Sequence, residues 1–171
     1  MNGVQIAAEL MAVSARTAPK GGGIDYIETR ILEGEQIKEL AAAMLAYGEK
    51  SGKPNFDRDG MNVARSEAVL LISLKDSKAT GMNCGACGFS GCKDLPERVP
   101  GSEFDGPLCP WRVLDLGIAA GSAVKTASIL NVDNRIMYRV GVCARQLGMI
   151  EGELVLGIPL SATGKSIYFD R

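Results

Sequence analysis

Ile6, Leu10 and Val13 recur at three- and four-residue intervals, which predicts an amphipathic helix over residues 4–18 with those side chains on its apolar face. Pro19 and the run Gly21-Gly22-Gly23 end it. Residues 25–32 alternate weakly and hold Tyr26, Ile27, Thr29 and Ile31, a strand pattern. Helical spacing returns over 36–49, where Ile37, Leu40, Ala41, Met44 and Leu45 share one face and Glu35, Lys38, Glu39 and Glu49 the other. Residues 54–60 read as a polar connection, and a short helix around 61–66 leads into the unbroken apolar run 68–74, a buried strand. Three prolines and two glycines make 95–107 irregular. A helix rich in small residues spans 113–130, with Gly117 and Gly121 four apart on a face suited to tight helix packing or a flat ligand. Asn131-Val132-Asp133 reads as an N-cap region opening a helix that Gly148 stops, and 153–158 as the last strand.

Helices with a few strands in this order give an α+β chain: helices packed around a small mixed β-sheet, in one domain over residues 1–171. The length, 171 residues, suits one core rather than two, and 46% apolar content suits a soluble globule. A net charge of −1 disfavours nucleic acid and anionic membrane as partners. No run approaches a membrane span, and the N-terminus lacks the basic start of a secretory signal, so the expectation is cytoplasmic. Histidine is absent, which removes Ser-His-Asp and Cys-His catalysis and every His-containing zinc site. The acidic residues form no pair at a recognisable catalytic spacing. Chemistry, if present, falls to a cofactor.

Five cysteines point to where. Cys84, Cys87, Cys92 and Cys109 follow the pattern C-x2-C-x4-C-x16-C-P inside an embedded segment, residues 80–112. The stretch 83–92 carries no charged side chain, and Gly85, Gly88 and Gly91 let the backbone wrap closely and turn N–H groups inward. Four thiolates with amide donors around them suit an iron–sulfur cluster. Pro110 suits a first helical turn, placing Cys109 at a helix N-terminus, where an anion is favoured. Lys93 and Arg112 flank the outer ligands and are candidates to offset the remaining charge. A structural zinc held by the same thiols, and free or redox-paired cysteines, stay open as alternatives. Trp111 reads as a shield between the metal and water. Cys143 falls between Val140 and Leu147 on a helix and reads as a buried core thiol.

The run Cys84-Gly85-Ala86-Cys87-Gly88 through Cys92, then Cys109-Pro110, resembles the four-cysteine 4Fe–4S domain of anaerobic electron-transfer and corrinoid proteins. Asp115-Leu116-Gly117-Ile118-Ala119 and Gly157-Ile158-Pro159-Leu160-Ser161 with Gly164-Lys165 resemble the closing segments of a family of uncharacterised bacterial and archaeal ferredoxin-domain proteins. That likeness covers nearly the whole chain and implies a cluster without a known reaction. The implied function is single-electron transfer to a redox partner protein.

Gly164-Lys165-Ser166 lacks the rest of a phosphate loop: Pro159 stands where a glycine is needed, and only five residues follow. Ala15-Arg16-Thr17-Ala18-Pro19 is similar to the A-R-x-A-P stretch that opens the FMN site of nitroreductases, and Gly157-Ile158-Pro159 to the end of their final strand. The resemblance implies a three-layer nitroreductase-like fold, a homodimer with flavins at the subunit interface, and FMN held on its phosphate side by Arg16, Lys20 and Lys165. The chain departs from that pattern in two ways: it lacks the arginine-rich strand start that precedes this helix, and glycines with Ile24-Asp25-Tyr26 replace the polar sequel. An FMN-dependent oxidoreductase fed by the cluster is thus the second functional reading, and a zinc-stapled structural or interaction module the third.

Overall fold

The structure, a computed structural model, describes residues 2–169. Helix α1 (Gly3–Thr17) opens on a capping box: Asn2 Oδ1 accepts from the Gln5 N–H at 2.9 Å while the Gln5 side chain accepts from the Asn2 N–H at 2.7 Å. After the glycine turn come β1 (Ile27–Leu32), α2 (Glu35–Ser51), α3 (Phe56–Ala64) and β2 (Ala68–Leu74). The long cysteine-bearing excursion holds a small hairpin, β3 (Val99–Pro100) and β4 (Asp105–Gly106), within the stretch expected to be irregular. It ends at α4 (Pro110–Ile129), followed by β5 (Asp133–Asn134), α5 (Tyr138–Gln146) and β6 (Leu154–Ser161).

The main sheet runs β1-β2-β6-β5. β2 lies between two neighbours and all seven of its residues are buried, which explains its unbroken apolar sequence. Its side chains alternate between two cores. Ala68, Leu70, Ile72 and Leu74 meet α1 and α4, while Val69 and Leu71 meet α2, α3 and α5. Three layers result, as expected. Every pairing in the described sheet is antiparallel, where a mixed sheet was expected. The α2–α3 pair starts after Leu32 and ends before Val69, which are register partners, so it returns the chain to the same end of the sheet. Hydrophobic alternation carries no strand direction, so the sequence pattern was silent on this point.

Three local expectations shift. Helix α3 begins at Phe56, inside the stretch read as a polar connection, because its buried face is built from Phe56, Asp59, Gly60 and Val63 rather than from apolar residues alone. Residues 133–134 pair with β6 instead of capping a helix, and α5 begins only at Tyr138. On α1 the buried face is Val4, Ala7, Ala8, Met11 and Ala15, leaving Ile6, Leu10 and Val13 about half exposed. The alanines win because α4 turns its own Ala119, Ala120, Ala123 and Ala127 to the same core, and small side chains let the two helices approach closely.

α5 lies equally close to β6. A Cβ on Gly141 would stand 1.9 Å from the Val155 carbonyl oxygen. Gly141→Ala is expected to cost about 2–3 kcal/mol in urea denaturation, since neither backbone can retreat without opening the layer.

Candidate functional site

The excursion from Lys75 to Cys109 leaves the C-terminal end of β2 and returns at the N-terminus of α4. Its neck is closed by one carboxylate. Glu153, buried at the start of the last strand, accepts from the Ser77 N–H at 3.2 Å and from Arg98, and Arg98 also donates to the Ser77 carbonyl at 3.0 Å. Ser77 precedes the three-cysteine loop and Arg98 follows it, so the clamp shortens the free loop and lowers its closure entropy. Glu153→Gln keeps the shape and removes the negative charge that pairs with Arg98. It is expected to destabilise the chain by about 1–3 kcal/mol and to speed metal loss to a chelator, read by absorbance.

Within the loop, Asn83 does much of the local ordering. Its Oδ1 accepts from the Cys92 N–H at 2.9 Å, and its own N–H points at the Cys92 sulfur at 3.3 Å. Gly91 permits this, because a Cβ there would stand 3.3 Å from Asn83 Oδ1. Gly85 and Gly88 close a turn around Cys87 through a 2.9 Å bond, both at positive φ. Cys84 is exposed, and Cys87 and Cys92 are half-buried. The Trp111 indole N–H donates to the Cys84 sulfur at 3.1 Å, so the residue expected to be a water shield instead ties the loop to α4. The Ala86 N–H, followed by that indole, holds the Cys84 thiol below its usual value.

Cys109 is the N-cap of α4, with Pro110 in the first turn, as the sequence indicates. Burial, the largest influence, pushes its thiol up. The N–H groups of Thr80, Trp111 and Arg112 with the Thr80 hydroxyl outweigh it, and the net effect favours the thiolate. Cys92 and Cys109 line one cleft with Leu95, Pro96 and Leu108. The four thiols thus belong to one end of the molecule: Cys92 beside Cys109, Cys84 held by Trp111, and Cys87 in the turn between. Among the described residues no three Cys, Asp or Glu side chains are gathered tightly enough to hold a metal ion as they stand. The donor chemistry nevertheless fits a four-thiolate group: two thiols are biased toward the ligating form, and amides surround them. Cys84 and Cys87 sit on an exposed turn, so closing on a common centre disturbs no core packing. Cys143 is 1% exposed and burial raises its thiol to about 12, the state expected of a core residue. In metal-free reduced protein at pH 8, iodoacetamide is expected to label Cys84 first and Cys143 only after unfolding, read by peptide mass.

The basic residues are placed differently from expectation. Arg112, thought of as a counter-charge, is 2% exposed and paired with buried Asp115 at 3.0 Å. Arg16 pairs with Asp25 at 2.7 Å and donates to the Ile27 carbonyl at 2.7 Å. Burial raises the Asp25 carboxyl, but its bonds to Arg16 and to the Ile27 N–H, with the Lys20 charge, bring it net below its usual value. Lys20 donates to the Ala15 and Arg16 carbonyls at 2.7 and 2.6 Å, closing the C-terminus of α1. Lys165 follows β6, beyond Ser161. Register places the Ala68–Leu160 end of the sheet, where that tail departs, opposite the Ile27–Leu74 end near Arg16 and Lys20. Arg16 and Lys20 are brought together at Asp25. Sequence reasoning missed Asn83, Thr80, Arg98 and Glu153. Only the position of Asn83 next to the first cysteine carried a signal.

Comparison with known proteins places these features in context. Residues 105–171 match a family model described as "Uncharacterized protein containing a ferredoxin domain (DUF2148)", a span that includes Cys109 and excludes the other three ligand candidates. An uncharacterized protein of Archaeoglobus fulgidus is 50% identical over 170 residues, 99% of this chain and 92% of that one. Among solved structures, an FMN-bound nitroreductase of Bacteroides fragilis superposes with a TM-score of 0.61 at 12% identity, over 96% of this chain and 81% of that one. An NADPH:FMN oxidoreductase of Vibrio harveyi, complexed with NAD+, gives 0.61 at 12% identity over 97% of this chain, which spans only 63% of that enzyme. At that identity the likeness concerns the fold.

Proposed function

The chain belongs to the family of proteins containing a ferredoxin domain, and on that premise we propose that it is an iron–sulfur electron-transfer protein carrying one 4Fe–4S cluster on Cys84, Cys87, Cys92 and Cys109. The observation that carries this reading is Cys109, a thiolate-favouring N-cap sharing a cleft with Cys92 and joined through Trp111 to Cys84. A bound cluster supplies one-electron transfer. The residues around it do the rest. The N–H groups of Thr80, Trp111 and Arg112 stabilise negative charge at Cys109, the Trp111 indole does so at Cys84, and the Glu153–Arg98 clamp fixes the loop. Half-exposed Trp111 and exposed Met82 leave an apolar approach for a redox partner protein. Anaerobic purification with iron and acid-labile sulfide assays tests the reading: about four of each per chain are expected. One zinc without sulfide would decide for the structural-module alternative.

The nitroreductase fold supports a second reading, an FMN oxidoreductase fed by the cluster. Against it, Arg16 and Lys20 are spent on Asp25 and on helix carbonyls. Saturation of the apoprotein by FMN in a fluorescence titration would favour it; absence of binding would remove it.

The assembly we propose is a homodimer through the outer faces of α1 and α4. The first two turns of α4 invert the usual pattern. Its Arg112 and Asp115 are buried, whereas Val113, Leu114 and Ile118 are 37–48% exposed, beside the bare Gly117 and Gly121. α1 adds Ile6, Leu10 and Val13. Two mid-helix glycines that approach nothing in their own chain cost about 1 kcal/mol each, which close packing against a second copy offsets. Ile118→Glu is expected to weaken self-association at least ~100-fold, read by light scattering against concentration. A wild-type chain that stays monomeric at high concentration would sink this assembly.

A further inference from the structure

On the far side of Arg98 from the cysteines lies a second cleft, about 580 Å3, a volume suited to a small molecule. Its walls are the end of β2, the β3–β4 hairpin and the turn from α5 into β6. Of the four carboxylates that line it, Asp76, Asp105, Glu151 and Glu153, two are each half satisfied. Glu153 is 6% exposed; one of its oxygens takes Ser77 and Arg98, while Oε2 is buried without a partner. Asp105 gives one oxygen to Arg145 and keeps Oδ1 buried and unpartnered. Ser73 Oγ is likewise unpartnered and lies against Gly152, another lining residue, within 3.1 Å of where a Cβ would stand. Two of the five unpartnered buried side-chain atoms among the described residues therefore belong to lining residues of one cleft, and a third, Ser73 Oγ, lies behind its wall. Buried polar atoms left unpaired cost about 1–3 kcal/mol each, so their concentration marks a place where a donor is missing.

We propose that this cleft binds a small molecule through a protonated amine. An ammonium group has three donors and no acceptor, matching two carboxylate oxygens that lack a donor, Glu153 Oε2 and Asp105 Oδ1. Arg98 on Glu153 and Arg145 on Asp105 cancel much of the charge that a divalent cation would need to offset its dehydration, so an organic ammonium fits better than a hard metal ion. On the rim, Lys75 is paired with Glu151 at 2.7 Å and with Glu28 at 3.5 Å. The proposal goes beyond electron transfer and does not depend on which metal the cysteines hold.

The test is a titration of the full chain, as purified anaerobically, with n-butylamine, 1,4-diaminobutane, butyrate, 1-butanol and magnesium chloride at matched ionic strength. Amide chemical shifts of residues 105 and 152–153 provide the readout. The amines are expected to move them saturably and the neutral and anionic analogues not. Asp105→Asn should weaken amine binding about tenfold. Gln146→Trp, a substitution at an exposed rim position, should block the cleft without touching the carboxylates, and so serves if Asp105→Asn fails to fold. Shifts produced by magnesium alone, amines no better than butanol, or amine binding indifferent to Gln146→Trp would each overturn the proposal.

Discussion

Serine at Cys84, Cys87, Cys92 or Cys109 is expected to remove most of the iron and the visible absorbance from anaerobically purified protein, while Cys143→Ala leaves the metal content unchanged. The contrast rests on chemistry rather than on counting thiols. A serine hydroxyl at neutral pH stays protonated and is a poor ligand for iron, so one lost thiolate leaves a cluster with an open corner. Cys109 should be the most damaging of the four. Its sulfur is the one fixed by a helix terminus and several N–H groups, whereas Cys84 and Cys87 ride on an exposed turn. Cys143 is buried in the opposite core, with its thiol raised to about 12, and holds no ligating form at pH 7. Alanine there removes one sulfur atom from a packed core and costs about 1–2 kcal/mol of stability without touching the metal. Equal iron in the Cys109→Ser variant and the wild type would end the four-thiolate account.

How far the sequence itself foretold this molecule depends on which interactions leave a periodic trace. β2 was readable from Ala68 to Leu74 because burial on both faces forces an unbroken apolar run. The cysteine spacing and Cys109-Pro110 located a helix N-terminus correctly, since proline and an N-cap ligand are local signals. The outward turn of Ile6, Leu10 and Val13 was not readable. α1 carries two stripes at helical spacing, and the choice between them was made by the alanines of α4, more than a hundred residues away. The pairing of Arg16, Lys20 and Arg112 was not readable for a related reason. A basic residue near a candidate anion site looks available until its partner is known, and Asp25 and Asp115 are visible as partners only in three dimensions. Charge in a sequence is a quantity; pairing is a geometry.

Arg112→Met is expected to destabilise the metal-free protein by about 3–5 kcal/mol, the range for removing one member of a buried ion pair. The Arg112 guanidinium gives one bond to Asp115 at 3.0 Å, one to the Lys78 carbonyl at 3.0 Å and one to the Gly21 carbonyl at 2.8 Å, and it stacks over Tyr26 at 4.9 Å. Asp115 in turn accepts from the Gly21 N–H at 2.8 Å. One side chain therefore fastens the glycine turn after α1, the segment between β2 and the cysteine loop, and α4. Methionine fills comparable volume but leaves a buried carboxylate and two carbonyls without that donor. Arg112→Lys should recover little, because a single ammonium cannot span the fork. Asp115→Asn keeps the Gly21 bond and should lose less than Arg112→Met. Against a total stability of about 5–15 kcal/mol, the arginine loss alone approaches unfolding. Urea denaturation of metal-free protein at fixed concentration separates this cost from metal binding and self-association, and a loss under about 1 kcal/mol would show that the pair is not the fastening described. The same inward turn of charge is what leaves Leu114 and Ile118 as the outer face of α4. Weakening the pair should therefore also loosen the dimer, whereas Ile118→Glu loosens the dimer and leaves the Arg112–Asp115 fastening intact.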